Sequence, residues 1–178
     1  FASSAAAINP TSPYGAHKRM TELECKVYSS LYDIDTVCLR YFNVYSEDQK
    51  YGGPYSTVIS AWLENIKNDK PLRLDGDGSQ TRDFIHVDDI VSANIHCMRH
   101  GHDLNGEVYD VGTGCSQSLI EIKKYFDNVF DVEWQIQPSR HGDIKHSKAN
   151  ISKLNNIGWR HKIDLKTGLR RCVTHVNE

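Results

Sequence analysis

Tyr14 and Lys18 are the residues of this 178-residue chain whose types and spacing speak most directly of chemistry. Four positions apart, they share one face of any helix that contains them. A cation beside a phenol favours the charged phenolate, so such a pair suits the abstraction of a proton from a substrate. The same spacing also occurs as an ordinary pairing on a helix surface, and the surrounding residues decide between the two.

The elements that must position the pair are legible on both sides of it. Upstream, Phe1-Ala2-Ser3-Ser4-Ala5-Ala6 reads as a small-residue strand end with the Ser4 hydroxyl at its tip. Pro13 suits the first turn of a helix, where its missing N–H costs nothing. Leu23, Val27, Tyr28 and Leu31 then recur at helical spacing and predict a helix over 13–31. Downstream, the β-branched, apolar run Thr36-Val37-Cys38-Leu39-Arg40-Tyr41-Phe42-Asn43 predicts a buried strand over 36–42 ending in a polar group. A loop through Gly52-Gly53-Pro54 leads to a helix over 56–67, with Val58, Ile59, Trp62, Leu63 and Ile66 on one face. Short strands are expected at 72–74 and 83–87, then a helix to about 99 capped by Asp88 or Asp89. A strand at 107–111, a helix over 118–130 begun at Ser116 or Ser118, a strand at 132–136 and small helices near 150–155 and 164–175 complete the chain. Strands alternating with helices indicate α/β organisation.

Composition removes several classes. A formal net charge of -2 shows no basic bias towards nucleic acid or a membrane surface. No apolar run approaches the ~20 residues that span a bilayer, and no charged-then-apolar leader opens the chain. Five scattered cysteines without C-x-x-C spacing suit reduced thiols in a cytoplasmic setting. Nine histidines include no metal-ligand spacing. Asp75-Gly76-Asp77-Gly78-Ser79 begins like a calcium loop, but Gln80 and His86 stand where glycine and glutamate are required, so no metal is expected. Gly112-Thr113-Gly114 mimics a dinucleotide fingerprint, yet Gln117 replaces its third glycine.

The order of hydroxyl-tipped strand, Tyr/Lys helix and second strand ending in Asn resembles the extended short-chain dehydrogenase/reductase family, in its nucleotide-sugar epimerase and dehydratase branch. The resemblance continues through Arg40-Tyr41-Phe42-Asn43-Val44-Tyr45, Gly76-Asp77-Gly78, Arg82-Asp83-Phe84-Ile85-His86-Val87-Asp88-Asp89, Tyr109-Asp110-Val111-Gly112-Thr113-Gly114 and Arg140-His141-Gly142-Asp143. It implies the C-terminal part of a Rossmann-like, doubly wound parallel sheet plus a smaller mixed α/β substrate-binding lobe. Residues 1–45 would be the remnant of an NAD-binding domain. Residues 46–178 would be mainly the nucleotide-sugar lobe, with about 76–112 returning to the first domain. The family's glycine-rich phosphate turn would precede Phe1, and its loop after Ser4 is normally longer. The chain is therefore expected to be part of a longer homodimeric enzyme, pairing through the helix after Tyr14, and not to bind NAD tightly by itself.

Residue by residue, the resemblance implies that Ser4, Tyr14 and Lys18 are catalytic and that Tyr14, Lys18 and Tyr41 meet the NAD cofactor. Read from the residues alone, Tyr41 and Phe42 suit the core. Asn43 is implied in the diphosphate region of a UDP-sugar, and Arg82 and Arg140 fit bidentate grip on a diphosphate. Asp143 matches the family position that binds ribose hydroxyls, and Thr57, Val58 and Ser147 are implied as substrate contacts. Family dehydratases carry a carboxylate just after the catalytic hydroxyl residue. Ala5 and Ala6 cannot move a proton, which points to 4-epimerisation through a transient 4-keto sugar. Ser147, four beyond Asp143, leaves room where a tyrosine would restrict the pocket to a plain hexose, and the stretch Tyr55-Ser56-Thr57-Val58-Ile59 resembles N-acetylhexosamine-type epimerases. UDP-N-acetylglucosamine/UDP-N-acetylgalactosamine is thus the expected substrate pair. The alternatives are a UDP-glucose 4-epimerase, another family reductase or dehydratase, and an inactive nucleotide-sugar-binding fragment.

Overall fold

The computed structural model describes residues 1–49, 57–100, 104–140 and 142–176. The loop through Gly52-Gly53-Pro54, the Tyr55-Ser56 dipeptide and His141 lie outside them. In chain order the elements begin with β1 (Ala2–Ser4), a 3₁₀ turn (Ala5–Ala7), α1 (Pro13–Tyr32), β2 (Val37–Tyr41), β3 (Asn43–Tyr45), α2 (Val58–Lys67), β4 (Leu72–Asp75) and β5 (Thr81–His86). They continue with α3 (Val87–Met98), β6 (Glu107–Val111), β7 (Ser116–Ser118), α4 (Leu119–Asp127), β8 (Trp134–Gln137), α5 (Ser152–Asn156) and α6 (Leu165–Val176).

The sheet nearest Tyr14 is parallel throughout, in the order β1-β2-β6, with Ser4 opposite Tyr41 and Tyr41 opposite Val111. β1-α1-β2 is thus a βαβ unit, the building block of doubly wound sheets. The strand expected over 36–42 ends one residue early. Phe42 still donates its N–H to Val111 O at 3.1 Å, and β3 then leaves for a second sheet, β3-β5-β7. There β3 pairs parallel with β5, and β7 pairs antiparallel. β4 and β8 form a separate parallel pair.

β5 divides the interior. Adjacent side chains on a strand point to opposite faces, and its neighbours Phe84 and Ile85 enter different apolar clusters. Ile85 joins Leu39, Ile90, Val111, Leu154 and Trp159 beside the parallel sheet. Phe84 joins Tyr45, Ile59, Trp62, Leu72 and Phe126.

Two local expectations are corrected. Neither Asp88 nor Asp89 caps α3; His86 does, its Nδ1 accepting from Asp88 N at 3.2 Å. Nδ1 as acceptor leaves the ring proton on Nε2, which faces Glu47 Oε2 at 3.0 Å. Asp89 instead turns inward and accepts from Lys162 N and Ile163 N. Ser116 belongs to β7, while Ser118 caps α4 in a reciprocal box with Glu121, and the helix stops at Asp127, not 130. Along α1 the apolar residues Leu23, Val27, Tyr28 and Leu31 all stay exposed, and the buried positions are Gly15 and Glu22.

Candidate active site

The first turn of α1 is set by three neighbours in sequence. Ser12 Oγ accepts from Gly15 N at 3.2 Å, Pro13 takes the first helical position, and Tyr14 follows. Gly15 is packed so closely on the 3₁₀ turn that a Cβ would lie 2.6 Å from Ala6 O. Only glycine lets the helix start approach that turn. Tyr14 and Lys18 are both half-buried. Lys18 Nζ donates to Ala2 O at 2.7 Å and stands 5.7 Å from the centroid of the Tyr14 ring. Ser4, at the end of β1, accepts from Ala6 N through Oγ at 3.2 Å. Phenol and ammonium thus share a helix whose start lies on the turn after β1, with the ammonium on Ala2 of that strand. The Ser4 hydroxyl stands at the strand's C-terminal end, the end at which open α/β sheets bind their ligands.

A line of positions leads away from this corner. Tyr41, opposite Ser4, places its hydroxyl within 3.0 Å of the Asn94 side chain on α3. Asn43, two residues on, donates from Nδ2 to Asp83 O at 3.1 Å. Next to Asp83, Arg82 donates to its neighbour's carbonyl, Thr81 O, at 2.9 Å and to Asp143 Oδ1 at 2.6 Å. Arg82 and Asp143 thus meet directly. Arg140 sits one turn before Asp143, whose N–H donates to Arg140 O at 3.2 Å, but its guanidinium pairs with Asp75. The half-buried Ser147 is pinned alongside: its N–H donates to Thr81 O at 3.1 Å, and Ser116 Oγ donates to its carbonyl at 2.8 Å. Thr57 caps α2, with Oγ1 facing Ser60 N at 3.5 Å and Gln49 Oε1 at 3.3 Å, and Val58 packs against the cluster around Trp62.

Two carboxylates organise this region without having been singled out from the sequence. Asp83 is wholly buried and accepts from Thr113 N, Thr113 Oγ1, Gly114 N and Ala149 N at 2.7–3.1 Å. It ties the loop after β6 and the segment after Ser147 to β5. Glu22, 2 % exposed, accepts from Ser3, Arg19 and Arg40. The available signal was a charge inside an apolar strand, Asp83 before Phe84-Ile85 and Arg40 after Cys38-Leu39, since a buried charge needs a partner.

The NAD-dependent epimerase/dehydratase family model matches residues 2–112. A putative UDP-glucose 4-epimerase of Methanocaldococcus jannaschii is 37% identical over 172 residues, which are 93% of this chain and 53% of that protein. Among solved structures, a UDP-N-acetylglucosamine 4-epimerase from Methanobrevibacter ruminantium M1 in complex with UDP-N-acetylmuramic acid is 33% identical, with a TM-score of 0.87 over 98% of this chain and 61% of that one. A Thermus thermophilus UDP-glucose 4-epimerase in complex with NAD is 29% identical, with a TM-score of 0.88 over 99% of this chain and 63% of that one. The chain spans about half the length of the curated relatives it matches.

Proposed function

Because the chain belongs to the NAD-dependent epimerase/dehydratase family, we propose that the complete protein epimerises UDP-hexoses at C4, with the UDP-N-acetylglucosamine/UDP-N-acetylgalactosamine pair as substrates. The observation that supports this reading is the turn made only of alanines, Ala5–Ala7, which follows Ser4 and receives the start of the helix that bears Tyr14 and Lys18. A reversible oxidation at one carbon needs a single proton acceptor, whereas elimination needs a further acid or base, and that turn offers none.

The residues present fit the nicotinamide-ribose end of NAD. Lys18 is an ammonium donor and Tyr14 a phenol, one turn apart and half-buried on the helix that follows β1, with Lys18 held on Ala2 O of that strand. When bound, NAD supplies the hydride acceptor and donor for C4. Tyr14 takes the proton of the 4-hydroxyl and later returns it. Ser4 hydrogen-bonds the same oxygen, and Lys18 offsets negative charge on the phenol oxygen. Arg82, Arg140 and Asn43 face the diphosphate, and Asp143 the ribose. Binding then exchanges the Arg82–Asp143 ion pair for contacts with the nucleotide. β1, α1, β2 and β6 make up the cofactor side, and the elements around Trp62 the sugar-nucleotide side. A second copy of the chain covers the apolar stripe of α1, a reading supported by the exposure of Met20, Leu23, Val27 and Leu31 along one face.

The preference for an N-acetylated sugar rests on Ser147, held beside Thr81 and the Arg82–Asp143 pair. Relatives of both plain and N-acetylated specificity resemble the chain, so the test compares them directly. The complete protein with NAD is incubated with UDP-glucose and with UDP-N-acetylglucosamine, and the epimers are separated. Turnover of the N-acetylated sugar is expected, and Ser147→Tyr is expected to harm it selectively. Equal loss on both sugars overturns the Ser147 argument, and no epimer from either overturns the functional reading.

A further inference from the structure

The polar group most deeply enclosed in α1 belongs to a residue the reaction does not use. Glu22 is one turn after Lys18, on the same face, and that face lies against β1. Its Oε1 accepts from Ser3 Oγ at 2.6 Å and from Arg40 Nε at 2.7 Å. Its Oε2 accepts from Arg40 at 2.7 Å and from Arg19 at 3.1 Å. Arg40 in turn approaches Asp110 Oδ1 at 3.7 Å. One carboxylate thereby ties the helix to β1 through Ser3, to β2 through Arg40, and through Arg40 to β6.

The residues it ties adjoin the reacting groups. Ser3 precedes Ser4, and Ala2, which precedes Ser3, holds the Lys18 ammonium. Lys18 on Ala2 and Glu22 on Ser3 form two successive straps between one helix face and one strand. Straps of this kind set how far α1 slides along β1, and so the separation of Tyr14 and Lys18 from the Ser4 hydroxyl. The apolar side chains of α1 cannot do this, since they point to solvent. The fork geometry of Arg40 on Glu22 also fixes the rotation of the helix, because a bidentate pair admits one orientation. Burial works to raise the Glu22 carboxyl, but Arg40, Ser3 and Arg19 together hold it below the usual carboxylate range, so it stays charged at neutral pH.

From this geometry we infer that Glu22 is a positioning residue for the proposed epimerisation: through Ser3 and Arg40 it sets the register of α1 on β1 and thereby aligns Tyr14 and Lys18 with Ser4. The inference rests on the functional reading above for the reaction it serves.

The test uses the complete protein with NAD and its UDP-sugar, in the variants Glu22→Gln, Glu22→Asp and Ser3→Ala. Misplacement of reacting groups lowers turnover more than binding, so kcat is expected to fall by about tenfold or more in Glu22→Gln and about threefold or more in Ser3→Ala, with KM within about twofold. Glu22→Asp, with its charge on a shorter stem, recovers part of the loss. A crystal structure of Ser3→Ala gives a readout independent of turnover: Lys18 Nζ is expected beyond hydrogen-bond reach of Ala2 O. Folded variants with undiminished kcat overturn the inference, as does Lys18 still on Ala2 O in Ser3→Ala. If Glu22→Gln leaves Arg40 unpaired and fails to fold, Ser3→Ala decides, because it keeps the Glu22–Arg40 pair. A parent protein that turns over no UDP-sugar overturns the functional reading alone, and the Lys18 position in Ser3→Ala still decides whether Glu22 sets the register.

Discussion

Removing a single oxygen separates chemistry from packing at Tyr14. Tyr14→Phe keeps a half-buried ring at the start of α1 and loses only the proton acceptor. In the complete protein, kcat should fall about 10²–10⁴-fold, the range that general acid–base groups contribute, with the melting temperature nearly unchanged. Near-normal turnover would remove the role assigned to it. The opposite case is Tyr45, whose hydroxyl is buried with no hydrogen-bond partner among the described residues. Burial also pushes this phenol well above its ordinary pKa, so it remains neutral. Removing an unsatisfied buried hydroxyl is neutral or favourable, and Tyr45→Phe should change stability by between zero and about 1 kcal/mol in the stabilising direction. Gly168 lies against that hydroxyl, where an added Cβ would collide with it. Gly168→Ala should therefore destabilise, and Tyr45→Phe should relieve part of the loss. Thermal melts of the two single variants and the double variant would show whether the two positions couple.

At the scale of elements, the attachment of α1 to its sheet should depend on pH through Glu22. Its folded-state carboxyl lies below the ordinary value of 4.5, so its contribution is complete above 4.5 and disappears as pH falls through the depressed value. Asp110 acts in the other sense. Burial raises its carboxyl, so the folded state takes up a proton more readily there and gains stability on mild acidification. Comparing wild type with Glu22→Gln isolates the first effect. The difference in melting temperature should be largest above 4.5 and shrink below it; a gap independent of pH would contradict the assignment. α4 supplies a plainer case. Ser118 and Glu121 satisfy each other's backbone N–H groups at the helix start, so Ser118→Ala should cost about 1 kcal/mol in denaturant unfolding.

For the whole molecule, the question is what covers α1. Met20, Leu23, Val27 and Leu31 form an exposed apolar stripe, and Tyr28 and Tyr32 lie beside it with rings tilted by 40° and centroids 5.2 Å apart. Contiguous apolar surface of this kind suits an interface, and the proposed occupant is a second copy of the chain. Sedimentation of the complete protein should show a dimer, and Leu23→Asp combined with Val27→Asp should give a monomer that retains its melting behaviour. A wild-type monomer would leave the stripe to some other partner. No helix among the described residues is long and apolar enough to cross a membrane.

What the sequence determined by itself was local. Pro13 places the start of α1, four-residue spacing puts Tyr14 and Lys18 on one face, and the strand expected at 107–111 coincides with β6 to the residue. Each depends on groups within a turn or a strand of one another, where period and capping chemistry act. Tertiary structure decided the rest. Arg82 meets Asp143 across 61 positions, Asp83 gathers donors from two loops, and β3 and β7 exist only because β5 lies between them. The apolar spacing of α1 marks one face of the helix, and the face buried on the sheet is the other, bearing Gly15 and Glu22. Periodicity shows that a helix has two faces. Which face turns inward depends on what the sheet offers it, and here Arg40 and Ser3 offered charge and hydrogen bonds to a carboxylate.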